Sequence, residues 1–335
     1  MRITKDLLIK TAKDTVKKRT FGGAGDLVCA YITGSLTFDE PLIGGTTDID
    51  LVFVHSLESE KRREIVSVTD DFHLDIAHFP QTAFSQPRSL RADPWLGGFL
   101  SHYPIVLLDN NHWFDYVRSG VFAHFFQPVN VIRRVKPFME SAREIWLQLN
   151  MQPQDDHRKV IQQYLQSIKD ASNAIACLTS VPLTDRRLII DFSERAAAVN
   201  MPGLSGGIAD LLLPVDPIEP DWDIWIENWD AAFSAFQKSE NTDLSFHPCR
   251  RNYYRNAILG LKEGNNQAAL WILLRTWSKM AAQLSPNGVS QHGFDDLLDA
   301  LSLAADDLES RLQGMDQFLD VIEEAIDTWE VAAGL

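Results

Sequence analysis

The stretch from Leu27 to Val54 constrains the fold of this chain more than any other. It holds an apolar run, Leu27 to Thr33, then Gly34-Ser35, a loop, and Asp48-Ile49-Asp50-Leu51-Val52-Phe53-Val54. Both runs are strongly β-prone. Side chains alternate across a strand, so Asp48 and Asp50 share one face while Ile49 turns towards the core. Like charges held side by side repel unless a cation neutralises them. A divalent metal is the usual solution, and a ligand set made only of oxygen favours Mg2+ or Mn2+ over zinc. Phe72-His73-Leu74-Asp75-Ile76-Ala77 reads as a further short strand, with Asp75 between apolar neighbours. Laid beside the Asp48–Val54 strand, it brings a third acid to the same spot, and three carboxylates can hold the two metal ions of a phosphoryl-type displacement. Gly34 lets backbone N–H groups approach a phosphate, and the Ser35 hydroxyl adds a donor.

Taken together, these residues resemble the DNA polymerase β-type nucleotidyltransferase superfamily. The parts that match are Ile32-Thr33-Gly34-Ser35, twelve intervening residues, Asp48-Ile49-Asp50-Leu51, and later Asp75. The resemblance covers roughly residues 20 to 110. It is nearest to the bacterial group of aminoglycoside and minimal nucleotidyltransferases and singles out no member. It implies an α+β chain: a nucleotidyltransferase-type mixed β-sheet domain with flanking helices over residues 1–112, followed by an all-α helical domain over 113–335. It implies Asp48 and Asp50 as ligands of both metal ions. Asp75 would bind the catalytic ion and orient or deprotonate the acceptor hydroxyl. Gly34 and Ser35 would hold the leaving pyrophosphate, and Thr47 or Thr46 would touch phosphate. The implied cofactor is Mg2+ or Mn2+, with ATP or another nucleoside triphosphate as donor.

The implied reaction moves a nucleoside monophosphate, AMP from ATP by preference, onto a hydroxyl of a small molecule such as an aminoglycoside. Two alternatives stay open. One is a protein-modifying, adenylylating enzyme whose acceptor is a Tyr, Ser or Thr side chain; the other is a non-catalytic descendant that binds nucleotide or a partner. A homodimer is an arrangement the resemblance also brings. The sequence departs from the family at one point: where an arginine often follows Gly-Ser, this chain has Leu36-Thr37-Phe38-Asp39-Glu40.

At 335 residues the chain is long enough for two domains with cores of their own. Its formal charge of −15 repels nucleic-acid backbones, so nucleic acid is not expected as a partner. Cys29, Cys177 and Cys249 lie far apart with no CxxC spacing, the usage of a reduced intracellular protein. The segment Met1 to Asp6 carries an acid, Asp6, and no apolar core, unlike a signal peptide. No stretch approaches the ~18 uninterrupted apolar residues of a membrane span. The expected compartment is the cytoplasm.

Along the chain, residues 3 to 19 read as an amphipathic helix and Phe21 to Gly25 as a break. The charged run Glu58 to Val68 reads as a helix, Pro80 to Gly98 as an irregular segment, and Pro104 to Asp109 as a last strand. From Trp113 the pattern turns helical, with a kink expected at Pro137. Arg88 with Arg91, and Arg133 with Arg134 and Lys136, are candidate phosphate contacts. Trp222, Trp225 and Trp229 share one helix face, the pattern of core packing; the acids around them leave an acidic, aromatic surface for a cationic acceptor as the alternative. Arg250, Arg251, Arg255, Lys262 and Arg275, interleaved with Tyr253, Tyr254, Trp271 and Trp277, read as a packed helical hairpin, with nucleotide or nucleic-acid binding as the alternative. Gly203-Leu204-Ser205-Gly206-Gly207 matches a nucleophile elbow only formally, because a helix rather than a strand is expected before it. His73 shares a strand face with Asp75. Asp93, Asp109, Asp115 and Glu140 are candidates for a general base.

Overall fold

A computed structural model describes residues 3–21, 26–151, 156–216, 218–239, 243–284 and 289–335. The expected break at Gly22 to Gly25 lies outside them. The chain divides into two compact units, Met1–Asn130 with His247–Ala257, and Val131–Phe246 with Ile258–Leu335. The first is α+β and the second helical.

The sheet of the first unit is built from β1 (Leu27–Thr33), β2 (Thr47–His55), β3 (Arg63–Ser67), β4 (Phe72–Pro80) and β5 (Ile105–Asp109). Their order is β3-β4-β2-β1-β5. β2 and β4 run parallel, and the other three pairs are antiparallel, so the sheet is mixed. Helix α1 (Lys5–Phe21) carries Leu8, Ala12 and Val16 at four-residue spacing on one face. They bury against Ile49, Leu51 and Phe53 of β2 and Phe72, Leu74 and Ile76 of β4. Strand alternation then sends Asp48, Asp50, His73 and Asp75 to the other face. Elsewhere on that other face Tyr31 packs on Phe114, ring centroids 5.0 Å apart. Helices α2 (Pro87–Ala92) and α3 (Leu96–Ser101) pack on α4 (Trp113–Phe125), which supplies Phe114.

Two local expectations are corrected here. The run Glu58 to Val68 forms no helix; it contains β3, because Ile65 and Val66 are β-branched and β4 offers an open edge that pairs Ile65 with Asp75. The segment Pro80 to Gly98 is not irregular throughout. Pro87 opens α2 at the position where its missing N–H costs nothing, and the Asp93 carboxylate accepts the N–H groups of Trp95 and Leu96.

The helices continue with α5 (Pro128–Met151), α6 (His157–Thr179), α7 (Leu188–Ala198), α8 (Leu204–Leu212), α9 (Trp222–Lys238), α10 (Arg250–Leu261), α11 (Asn266–Ala281), α12 (Val289–Ala300) and α13 (Leu308–Ala332). Within the second unit α11 is buried on every side from Ala268 to Ser278, as a central helix must be. The Trp229 indole N–H donates to Thr276 Oγ1 at 2.8 Å and Trp225 is also buried, so two of the three tryptophans pack the core, while Trp222 is half-buried. Asp185 is ringed by Lys169 at 2.7 Å, Lys279 at 2.8 Å and Arg275 at 3.5 Å. Burial works against its charge, yet the three cations hold the Asp185 carboxyl well below the usual range. The Gly203–Gly207 segment opens α8 and follows α7, with no strand before it. Among the described residues no helix is long and apolar enough to cross a membrane.

Ile49 is fully buried between α1 and the acidic face of its own strand. Ile49→Ala should lower the unfolding free energy by about 2–5 kcal/mol through lost burial and a residual cavity. Urea denaturation measures this; a loss below about 1 kcal/mol would contradict the packing described.

Candidate functional site

Parallel pairing of β2 with β4 sets Asp50 opposite Asp75 and Asp48 opposite His73. All four side chains rise from the same sheet face. One carboxylate oxygen from each of Asp48, Asp50 and Asp75 lies within 4.8 Å of the others. Asp48 and Asp75 are only 7% and 4% exposed. At an effective dielectric of about 20, each pair of charges at such a distance repels by roughly 3.5 kcal/mol. Three such repulsions rival the stability of a whole domain, so the trio needs cations.

The chain supplies two of them. Arg63, on β3, grips Asp75 with both arms of its fork, Nε to Oδ1 at 2.6 Å and Nη2 to Oδ2 at 2.5 Å. Arg250, at the start of α10, donates from Nη2 to Asp75 Oδ2 and stands 3.8 Å from Asp48 Oδ2. Arg63 is half exposed, whereas the Arg250 side chain is 7% exposed and its Nε has no hydrogen-bond partner among the described residues. Three carboxylates against two guanidinium groups leave one negative charge. Asp50 responds to it: burial first, then Asp48 and Asp75, push its carboxyl well above the usual range, while Arg250 and Arg63 pull the other way.

The Gly-Ser turn abuts the trio. β1 ends at Thr33, opposite Asp50, and a single 3₁₀ turn, Gly34–Thr37, follows. Gly34 has φ +69°, and a Cβ there would sit 1.9 Å from Asp50 Oδ2. Glycine is therefore required twice, for the left-handed backbone and for room beside the carboxylate. Ser35 Oγ lies 3.0 Å from Thr47 Oγ1 and donates to the Asp48 carbonyl at 3.4 Å. Thr47 Oγ1 also donates to the Pro41 carbonyl at 3.1 Å and is fully buried. Ser35 and Thr47 thus tie the turn to the head of β2.

Residues 247–257 return to the same place. Thr46 Oγ1 donates to the carbonyls of Ile43 at 3.0 Å and Tyr253 at 3.2 Å. Gly44, at φ +58°, leaves the Asn256 carbonyl so close that a Cβ would fall 1.8 Å from it. The Tyr253 ring meets His73 edge-on at 5.2 Å, and the Arg250 guanidinium lies 5.5 Å from the Tyr253 centroid. Arg250 is the residue that sequence reasoning missed as a site member. Its signal was the run of arginines and tyrosines at 250–255, which local spacing assigns to a packed hairpin.

The remaining candidates lie elsewhere. Arg91 is spent on the Gly120 carbonyl, at 3.0 and 2.6 Å, and Arg88 is exposed. Arg134 is buried in the second unit, Arg133 is exposed, and Lys136 pairs with Glu330 at 3.0 Å. Of the proposed bases, Asp93 caps α3 and Asp109 accepts the Phe114 N–H at 2.8 Å. Asp109, His112 and Asp115 form a second, largely exposed group. Glu140 is exposed on α5. No family model matches the chain, and no curated protein matches it.

Asp50 gives a test with a defined sign. Its pKa is raised on folding, so the folded chain holds the proton more tightly than the unfolded one. Stability then falls as pH rises from the ordinary carboxylate range through the raised value. Asparagine cannot ionise. Asp50→Asn, with chelator present, should therefore gain urea resistance over the parent as pH rises from about 5 to about 8. A difference that is flat or shrinks with pH would contradict the environment described.

Proposed function

We propose that the chain is a divalent-metal-dependent nucleotidyltransferase of the polymerase β-like kind. It moves a nucleoside monophosphate, AMP from ATP in the first instance, onto a hydroxyl of a small molecule such as an aminoglycoside. The observation that carries the reading is the meeting of Asp48, Asp50 and Asp75 on one sheet face, beside the Gly34-Ser35 turn. We read the mixed sheet with its flanking helices as a nucleotidyltransferase-type domain, and the helical unit as the place where acceptor recognition is to be sought. The strongly negative chain argues against a nucleic-acid acceptor. We place the enzyme in the cytoplasm, in keeping with three unpaired cysteines.

The donor set suits Mg2+ or Mn2+, since every group it offers is an oxygen. A cation is already accepted at this spot, because the Arg250 guanidinium bridges towards Asp75 and Asp48. Asp48, Asp50 and Asp75 would hold the ions. When bound, such ions supply charge neutralisation at the reacting phosphoryl group and its leaving oxygens. Gly34 keeps the turn free of a side chain next to Asp50, so a phosphate can come close to the backbone. The Ser35 hydroxyl, held by Thr47, is aligned before substrate arrives. In the transfer, a bond forms between the acceptor oxygen and the α-phosphorus. The bond from the α-phosphorus to the bridging oxygen breaks, pyrophosphate leaves with the electron pair, and the hydroxyl proton passes to solvent.

A second reading, a non-catalytic nucleotide binder, draws on one observation: Asp75 is gripped by two guanidinium groups, which use the lone pairs a metal or a proton would need.

Labelled nucleoside triphosphates, Mg2+ and a panel of aminoglycosides test both readings, with pyrophosphate release as the signal. Release should require the metal and one acceptor class, and Asp48→Asn should slow it by about 10³, the scale of a lost preorganised electrostatic contact, with the urea midpoint little changed. Near-parental release in Asp48→Asn would overturn the assignment. ATP binding with no pyrophosphate from any acceptor would favour the non-catalytic reading.

A further inference from the structure

The Gly-Ser turn has no cation of its own to meet a triphosphate. No lysine or arginine occurs between Ser35 and Lys61, and Lys5, which reaches the following loop, donates to the Phe38 carbonyl at 2.9 Å. Yet a polyphosphate brings several negative charges to a site that is already acidic, and metal ions held by three carboxylates offset only part of them.

We propose that Arg250 supplies this missing charge: it rests on Asp75 and Asp48 while the site is empty and moves to the polyphosphate when divalent cation and nucleotide bind. The inference rests on the nucleotidyltransferase reading above and goes beyond it. Four observations carry it. The Arg250 guanidinium engages two of the three carboxylates that would ligate metal, so arginine and metal compete for the same oxygens. Its buried Nε is without a partner among the described residues, so the fork is not fully used where it now lies. Its stem starts from a segment fixed to the site by Gly44 against Asn256 and by Thr46 on Tyr253, so the side chain can swing while its backbone stays. Asp75 does not depend on it alone, because Arg63 holds both of its oxygens from β3.

Charge counting gives the direction. The trio with Arg63 and Arg250 carries one net negative charge with Asp50 ionised and none with Asp50 protonated. In either state a dication entering beside Arg250 would leave the cluster positive and repel the guanidinium. A triphosphate arriving with the dication offers pairs of non-bridging oxygens that suit the planar arginine fork. Metal alone must displace Arg250 without compensation, whereas metal with nucleotide gives it a new partner. The two ligands are therefore coupled through one side chain, and the coupling is reciprocal.

Manganese binding, read from the electron spin resonance of free Mn2+, tests this with and without a non-hydrolysable ATP analogue. The full chain is compared with Arg250→Gln and Arg250→Lys, and urea midpoints report folding. Arg250→Gln should bind Mn2+ alone about tenfold more tightly and the analogue about tenfold more weakly, the scale of one charge-assisted pair. Arg250→Lys keeps the charge without the fork, should lie between, and decides the matter if the glutamine variant does not fold. Unchanged or weaker Mn2+ binding in the variants, or unchanged analogue affinity, overturns the role of Arg250 while leaving the metal site standing. Absence of both ligands from parent and variants alike overturns the nucleotidyltransferase reading itself.

Discussion

Crowding three carboxylates on one sheet face is the constraint on which the rest of the first unit depends. Each repels the others by an amount comparable to a good buried side chain's worth of stabilisation. The fold meets the cost with its own guanidinium groups, one from the neighbouring strand and one from a segment far along the chain. It also leaves Asp50 with a raised pKa, so the balance is incomplete. A structure that only needed stability would place apolar residues there, since buried ion pairs seldom outperform them. Three acids held at such expense mark this face as the candidate site.

The opposite face shows how the chain tolerates this. Ile49, Leu51, Phe53, Phe72, Leu74 and Ile76 alternate with the acids and bury under α1. Parallel pairing of β2 with β4 is what joins the two halves of the trio, because it puts Asp50 level with Asp75. A slip of one residue in that register would turn Asp75 into the core and an apolar side chain into the site. The apolar layer therefore fixes the geometry of the acidic one. Gly34 adds a local condition, since any side chain there would strike the Asp50 carboxylate.

Much of this was legible in the sequence, for a physical reason. Strand alternation is a local property, so Asp48, Asp50 and Asp75 could be assigned to one face from their apolar neighbours alone. The glycine and serine of the turn announce themselves by type. β3 was less legible, because the charges at Glu58 to Arg63 resemble a helical surface, and an edge strand is decided by its partner rather than by its own residues. The short helices after Pro80 were hidden by prolines that break structure in one position and start it in another. Arg250 was not legible as a site residue. It lies 175 positions from Asp75, on a helix whose local pattern is that of ordinary packing. Like charges on one strand face call for cations, and local spacing cannot reveal the two that the fold supplies from within the chain, Arg63 and Arg250.

The claim on which the functional reading turns is that the acidic face exchanges its internal cation for an external one. Anomalous X-ray scattering from crystals grown with Mn2+ and a non-hydrolysable nucleotide examines it most directly. The expected result is anomalous density among Asp48, Asp50 and Asp75, with the Arg250 side chain turned away from Asp75. Density elsewhere, or none, with Arg250 still seated on Asp75, would contradict it.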